Sequence, residues 1–412
     1  MLSVLKRYPQ LIFFGMLTLF FTGPGQTFIV SLFVPHMRQS FQLSQSSIAM
    51  VYSVATLLTA FSVPSMGRLL DRWDLRHVTL LAAGIMALGL LCLGLSQALW
   101  MVFVGYFLIR TCGQGTLALI SSTTMARYFG TLRGKALAWS ALGYPLSEGL
   151  MPIVVSAVIA SLGWRGGWVF LMGLTLLVYV PVALYLLQGF DSEEMQCKLQ
   201  NVKCKMQNGE RRFPATTVTE ILRQPVFYLI VFSSVFPATF VTGLFFHQLA
   251  LIAQKGWTQS DLTHAFILFA VCRATMALVT GQWVDKYSAL KVFPYIFLPF
   301  TFALLAFRFG SDVSFLYIYL AGVGLCFGMS NVIIGAVWAE IYGTENLGTI
   351  RGITAGVMVV TSAVAPVLIG FAMDYGWGLN QVLNIGLLGC GISIATAILG
   401  TQNADLPSNQ TS

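Results

Sequence analysis

Three ionisable side chains lie deep inside long apolar stretches of this sequence: Arg110, Glu148 and Arg273. A charge at the centre of a lipid bilayer is costly unless it is paired or hydrated, so such residues usually have a function. Arginine offers a carboxylate two parallel N–H donors, and a glutamate can gain or lose a proton as its surroundings change. The chemistry available is therefore anion binding and proton exchange.

The composition indicates that lipid surrounds most of the chain. Hydrophobic residues make up 57% of the 412 positions and charged residues 9%, which leaves too little polar surface for a soluble globule. The formal net charge of +8 is spread over short segments between apolar runs rather than gathered on one basic face. We therefore expect a bilayer and a small molecule as partners, and no nucleic acid.

Signatures of an enzyme are missing from the sequence. The seven cysteines have no metal-ligand spacing. No nucleophile arrangement, phosphate-binding loop or dinucleotide fingerprint is found. We expect neither catalysis, cofactor, metal nor ATP hydrolysis.

Twelve apolar runs reach the length of about 20 residues that a helix needs to cross a bilayer. They are continuous and lack the two-residue alternation of a membrane β-barrel, so we predict an all-α membrane protein. The runs cover 11–36, 46–67, 78–97, 100–125, 135–162, 167–188, 225–252, 262–284, 292–309, 313–338, 352–373 and 378–400.

The positions of Lys and Arg predict the orientation in the membrane. With the N-terminus in the cytoplasm, 17 of the 23 lie in inner segments and 4 in outer segments, and the other two are Arg110 and Arg273. Positive charge accumulates on the cytoplasmic side of membrane proteins. We predict two cytoplasmic termini in the cell (inner) membrane, with the apolar stretch after Lys6 and Arg7 as the first span rather than a removed leader.

The chain divides into two halves that repeat one another. Residues 190–223 form the longest polar segment, a predicted cytoplasmic linker between a bundle at 1–189 and a bundle at 224–400, with a cytoplasmic tail at 401–412. Residues 67–72 (GRLLDR) recur as 281–286 (GQWVDK), 214 positions later, and 127–131 (RYFGT) recur as 340–344 (EIYGT), 213 positions later. Agreement of the two displacements indicates duplication.

Gly67, Asp71, Arg72 and Arg76 resemble the loop signature between helices two and three of the major facilitator superfamily, with Asp74 in place of its second glycine. Residues 110–115 (RTCGQG) resemble the arginine signature of the fourth helix. The resemblance spans the whole chain. It implies twelve transmembrane helices in two pseudo-symmetric six-helix bundles, and transport by alternating access.

A narrower resemblance concerns the substrate. Residues 273–276 (RATM), together with 126–129 (ARYF) and 133–136 (RGKA), are similar to the monocarboxylate and oxalate:formate branch. In that branch the arginine of helix eight engages the substrate anion, which implies this role for Arg273. The acidic residue one turn earlier in many proton-coupled members is Phe269 here, and the lysines of helices one and eleven are missing.

Charges at the predicted cytoplasmic ends suggest a conformational latch. Gly67 allows two helices to approach closely, and Asp71 or its repeat Asp285 can face the positive N-terminal end of a helix from the other half. Arg127 and Glu340 occupy equivalent positions with opposite charge, which predicts a second contact between the halves. The alternative is that these groups, with Arg72, only mark solvated cytoplasmic turns.

Glu148 and Arg110 lie on adjacent helices of one half, so we predict an ion pair that neutralises both. The pair is either static or a site where Glu148 exchanges a proton as it opens.

Weaker candidates for contact with substrate are Gln26, His247 and Asn331. Gln26 follows a Gly-Pro-Gly break that either opens helix one to substrate or packs closely against a neighbour. Three functions remain open: a monomeric transporter of a small organic anion by proton coupling or exchange, a proton-coupled drug exporter, and a membrane sensor on a transporter fold. The excess positive charge at mid-membrane favours the first.

Overall fold

The computed structural model describes residues 8–129, 133–188, 218–342 and 347–405, and within these ranges every regular element is a helix. The chain forms two compact units, Met1–Gly209 and Glu210–Ser412, whose boundary lies in the predicted linker. Residues 190–217 of that linker lie outside the described ranges, and its last residues form the short helix Val218–Arg223.

The described part of unit 1 contains six helices with the length and composition of membrane spans. The predicted fifth and sixth spans are one helical stretch, Gly134–Leu186, of 53 residues. Gly163 interrupts it with φ 71° and ψ 171°, a left-handed conformation that only glycine adopts without strain. This turn separates α5 from α6. The helices are α1 (Pro9–Phe41), α2 (Gln45–Arg72), α3 (Leu75–Gly94), α4 (Leu99–Tyr128), α5 (133–162) and α6 (164–186).

Unit 2 contains six more. Eleven helical stretches of the described residues are long and apolar enough to cross a membrane, and the turn at Gly163 makes them twelve crossings, as the apolar runs predict. The last helix extends into the predicted tail; residues 406–412 lie outside the described ranges. The helices are α7 (Pro225–Phe246, continued by Gln248–Ala253), α8 (Gln259–Tyr287), α9 (Ala289–Phe309), α10 (Ser314–Tyr342), α11 (Leu347–Asp374) and α12 (Leu379–Asp405).

The two units use the same helix pairings. In unit 1, α1 packs on α5, α2 on α4, and α3 on both α4 and α6; in unit 2, α7 packs on α11, α8 on α10, and α9 on both α10 and α12. Each pairing in unit 2 is the counterpart of one in unit 1, six helices later. The repeat that the two loop sequences predict therefore extends to the packing of each unit.

Glycines bring α8 and α10 into backbone contact. A Cβ atom on Gly328 would lie 2.5 Å from the carbonyl oxygen of Arg273, and one on Gly324 would collide with the carbonyl oxygen of Phe269. Small residues four apart are a common device for close packing of membrane helices, where lipid provides no hydrophobic drive. The backbone position of Arg273 is therefore fixed by the α10 glycines.

Connections at the helix ends are tied by specific hydrogen bonds. Asp74 caps α3 by accepting from the backbone N–H of Arg76 at 2.8 Å, and the Arg76 guanidinium donates to the carbonyl of Leu187 at 2.6 Å. This cap explains why Asp suits the position of the signature's second glycine. Between α7 and α8, Lys255 donates to the carbonyl of Gly310 at 2.7 Å, and partial burial and the nearby charge of Arg308 lower its pKa.

Candidate functional site

Arg110 connects the irregular parts of two helices. In α1, a 3-10 turn at Gly23–Gly25 interrupts the α-helix, and in α4 residues Arg110–Thr116 form a π-helix. Arg110 is 1% exposed; its Nη1 donates to the carbonyl of Gly25 at 2.9 Å and its Nε to the hydroxyl of Thr56 at 3.1 Å. In a regular α-helix the amide of Ile29 would donate to the carbonyl of Gly25, but here it donates to the carbonyl of Gln26. The Arg110 guanidinium therefore satisfies the Gly25 carbonyl at the helix break.

The two backbones touch at this break. A Cβ atom on Gly113 would lie 2.7 Å from the Cα atom of Gly25, and one on Gly25 would collide with the carbonyl of Ile109. Real Cβ atoms do not approach other atoms so closely, so the contact requires a glycine on both helices. The close-packing alternative for the Gly-Pro-Gly segment is thus correct for Gly25.

A tyrosine on α2 completes the surroundings of Arg110. The guanidinium carbon lies 4.8 Å from the ring centroid of Tyr52, a cation–π contact. The hydroxyl of Tyr52 shares a hydrogen bond of 2.8 Å with the hydroxyl of Thr27, the first residue of α1 after the break. Gln26 is the extended, half-buried residue between the two parts of α1. Gln26 and Thr27, both half-buried, therefore follow directly after the break.

The predicted ion pair between Arg110 and Glu148 is not formed between these two described residues. The side chain of Glu148, on α5, is 6% exposed, while the donors of Arg110 are directed at Gly25 and Thr56. Arg110 is bound by neutral acceptors and an aromatic ring, which sequence spacing alone could not reveal. The role of Arg110 and Glu148 in proton coupling stays a prediction.

Arg273 lies near the middle of α8 and is half-buried. Its guanidinium carbon lies 5.7 Å from the ring centroid of Phe327 on α10. Phe269, one turn earlier, is buried against Phe245, Phe266 and Phe327. The cation therefore lies beside an aromatic cluster, with part of its surface accessible.

His247 and Asn331 differ in their surroundings. His247 is buried where α7 changes from its long to its short segment, and its Nε2 lies 2.8 Å from the carbonyl oxygen of Pro366 on α11. This contact ties α7 to α11. Asn331 is exposed on α10. Contact of either residue with a substrate stays a prediction.

A pair of threonines in unit 2 matches two candidates of unit 1. The two loop displacements of 213 and 214 positions relate Gln26 to Thr239 or Phe240, and Glu148 to Thr361 or Ser362. The hydroxyls of Thr239, on α7, and Thr361, on α11, share a hydrogen bond of 2.7 Å. Neither threonine stands out in the sequence, although the displacement could have located both. The position of Glu148 is therefore acidic in unit 1, whereas its counterpart in unit 2 is neutral.

Several latch candidates make contacts inside their own units. Within unit 1, a Cβ atom on Gly67 would meet Leu119 at an ordinary 3.4 Å, so no close approach there requires this glycine. Arg72 is exposed at the end of α2. Arg127 donates to the carbonyl of Leu70 at 3.3 Å. The side chains of Asp71 and Asp285 lie outside the described residues.

Glu340, at the end of α10, caps the start of α9. Its carboxylate accepts from the hydroxyl of Ser288 and the amide of Ala289, both at 2.7 Å, and from the amide of Leu290 at 3.1 Å. A carboxylate at a helix N-terminus satisfies free N–H groups and opposes the helix dipole. The predicted pairing with Arg127, and the latch as a whole, stay predictions.

Comparison with known families decides what this architecture is. The family model described as Major Facilitator Superfamily matches residues 15–254 and 239–410. The chain belongs to the major facilitator superfamily. It is therefore a multi-pass membrane transporter of a small molecule and not an enzyme, as the sequence predicts.

Relatives within the major facilitator superfamily are distant. Monocarboxylate transporter 4 of Rattus norvegicus is 23% identical over 83% of this chain and 71% of its own length. The uncharacterized MFS-type transporter YhjX of Escherichia coli is 20% identical over 80% of each chain. The match to Monocarboxylate transporter 11 of Mus musculus, 24% identical, spans 36% of this chain and a third, 33%, of that relative.

Two solved transporter structures confirm the fold alone. The nucleoside transporter NupG has a TM-score of 0.66 and 15% identity, covering 97% of this chain and 99% of its own. A bacterial homologue of the human lysosomal transporter Spinster has a TM-score of 0.65 and 12% identity, covering 97% of this chain and 95% of its own.

Proposed function

We propose that the protein is a secondary active transporter of a small, monocarboxylate-like organic anion and that it works by alternating access. The observation that carries this proposal is the half-buried guanidinium of Arg273 in the middle of α8, beside Phe327. Similarity to monocarboxylate transporters supports the same substrate class. The anion would bind through paired N–H donors of the planar guanidinium.

The contrast with Arg110 supports this assignment. Both arginines lie at membrane depth, yet Arg110 is 1% exposed and its donors are directed at Gly25 and Thr56. Arg273 keeps an accessible surface. Of the 15 acidic residues in the sequence, Glu148 alone lies in the middle of an apolar run. Two arginines and one glutamate leave one excess positive charge, which a carboxylate neutralises when it loses its water shell.

Replacing Arg273 by Lys tests the substrate site. The lysine keeps the charge but loses the planar pair of donors, so the KM for the anion should rise about tenfold or more, the value of one charge-assisted hydrogen bond. Uptake into proteoliposomes, first screened over mono- and dicarboxylates, amino acids and cationic drugs, measures it. Arg308→Lys, at the end of α9, is the control. Unchanged anion transport by Arg273→Lys, or a cationic substrate, contradicts the proposal.

Glu148 is the proposed proton-exchanging group. Glu148→Gln removes the titrating carboxyl with little change of volume, so counterflow exchange of the anion should persist while accumulation driven by a proton gradient is lost. Both are measured in proteoliposomes at several external pH values. Accumulation with the pH response of the wild type would rule out this role and leave the Arg273 site untouched.

A further inference from the structure

A cavity of about 550 Å³ opens on unit 2 beside the turn that joins α8 to α9. Helices α8, α9 and α10 all contribute to its wall. Its depth is set by α8, since the eleven steps from Met276 to Tyr287 correspond to about 16 Å of helix, close to one leaflet of hydrocarbon. The main lining residues are Met276, Trp283, Tyr287, Lys291, Leu298 and Met329.

The wall changes in character along this depth. The inner part is formed by Met276, Leu298 and Met329, which are apolar and, in the case of the methionines, adaptable. The part near the cavity mouth carries the exposed aromatic side chains of Trp283 and Tyr287. Trp and Tyr concentrate where lipid hydrocarbon meets the headgroups, because their rings are apolar and their N–H or O–H is polar. The cavity thus runs from hydrocarbon depth to headgroup depth.

Two lysines lie at the mouth of the cavity. Lys291 lines the cavity and is exposed, and the ammonium group of the exposed Lys286 lies 5.0 Å from the ring centroid of Tyr287. The cation bias of the loops predicts that this end faces the cytoplasm, where anionic lipids give the membrane surface a negative potential. Lysine is a compact point charge that suits a phosphate oxygen.

The turn between these lysines is held in place. Ser288 has a left-handed φ of 74°, and its hydroxyl and the following amides donate to the carboxylate of Glu340. The bonds fix the start of α9 against the end of α10, so Lys291 stays at the cavity mouth.

We propose that this cavity binds a phospholipid with an anionic headgroup, its acyl chain against Met276, Leu298 and Met329 and its phosphate at Lys291 and Lys286. Charge complementarity at the mouth and the apolar interior select this occupant over a zwitterionic lipid or a polar solute. Basic pockets between transmembrane helices are known to hold such headgroups. The site lies wholly within unit 2 and takes no residue from the proposed anion site.

Native mass spectrometry of the full chain, released from mixed nanodiscs of phosphatidylcholine and phosphatidylglycerol, tests the site. The wild type should retain phosphatidylglycerol preferentially. Lys291→Gln should lower the retained ratio of phosphatidylglycerol to phosphatidylcholine about fivefold, and the double variant with Lys286→Gln should lower it further, since each lysine near an anionic surface contributes a similar factor. Lys135→Gln, an exposed lysine of unit 1 at the same predicted side, is the matched control and should leave the ratio unchanged.

A second variant tests the acyl-chain part without changing charge. Leu298→Trp fills the cavity and should reduce retention of both lipids at this site, with a melting temperature in detergent close to that of the wild type. Equal ratios in the wild type and both lysine variants would overturn the proposal. So would full displacement of phosphatidylglycerol by inorganic phosphate, because a free anion site would then explain the lysines.

Discussion

Arg110 and Arg273 show how differently one residue type is used at the same membrane depth. Arg110 donates to a backbone carbonyl 85 positions away and to a hydroxyl 54 positions away, and lies over Tyr52. Arg273 keeps an accessible surface beside one aromatic ring. The first arginine therefore holds the break of α1 beside Gln26 and Thr27, while the second is half-buried and is the proposed anion site.

Arg110→Lys should destabilise the protein. Lysine keeps the charge but cannot reach Gly25 and Thr56 with the same geometry, and a buried acceptor left without its donor costs about 1–3 kcal/mol. The melting temperature in detergent should fall, together with the rate of uptake. Arg68→Lys, exposed on α2, is the control. A variant with wild-type melting but altered pH dependence of uptake would instead favour a coupling role for Arg110.

The sequence predicts which residues are unusual but not which groups they bond to. Counting residues along apolar runs located Arg110, Glu148 and Arg273 at membrane depth, because depth depends only on position within a helix. It could not show that Arg110 bonds to Gly25 rather than to Glu148. Which partner Arg110 contacts depends on how α4 and α5 are rotated about their axes. It also depends on the carbonyl of Gly25, which lacks its usual helical donor because α1 is interrupted there.

At the level of the helices, two irregular segments of unit 1 meet. The 3-10 turn of α1 and the π-helix of α4 face one another, and π-helical turns are often found at functional sites. Glycine and proline in the sequence predicted a break near Gly25, whereas the π-helix leaves no clear sign in residue type. Likewise, the fifth and sixth runs were predicted separately, but a single residue, Gly163, is all that divides them.

Glu340→Gln should loosen the start of α9. The neutral amide offers one acceptor oxygen in place of the carboxylate that now bonds Ser288, Ala289 and Leu290, a loss of about 1–3 kcal/mol. Hydrogen–deuterium exchange should quicken at residues 288–292.

Arg127→Gln separates this capping role from the predicted latch. It should leave exchange at residues 288–292 unchanged, because the donors of the cap are Ser288, Ala289 and Leu290. Equal exchange changes in the Glu340 and Arg127 variants would indicate that pairing between them dominates.

At the scale of the whole molecule, the duplication accounts for most of what could be predicted. Two loop sequences at matching displacements implied a repeat, and the helix pairings of the two units agree with it. The repeat does not reproduce the chemistry: the positions of unit 2 that correspond to the acidic Glu148 hold the neutral Thr361 or Ser362. Such differences arise by substitution at single positions and cannot be deduced from the shared packing.

Orientation is the property of the whole molecule most open to test. Single cysteines introduced at Ser3, Asn208 and Ser408 should resist an impermeant maleimide applied to intact cells and react after the cells are opened, because the bias of Lys and Arg predicts that all three are cytoplasmic. A cysteine at Ser311, which is exposed in a loop on the opposite predicted side, is the positive control. Labelling of the first three from outside would reverse the orientation.

The turn at Gly163 is a poor site for antibodies or tags that are meant to be reached from the predicted outer side of the membrane. The chain turns there on one residue, and the next two are already engaged: Trp164 packs edge-on against Phe41, and Arg165 donates to the carbonyl of Ser96 at 3.0 Å. An antibody that recognises a linear peptide needs a run of free residues, and an inserted tag needs slack on both sides. This turn provides neither, so affinity tags and split-protein junctions belong elsewhere.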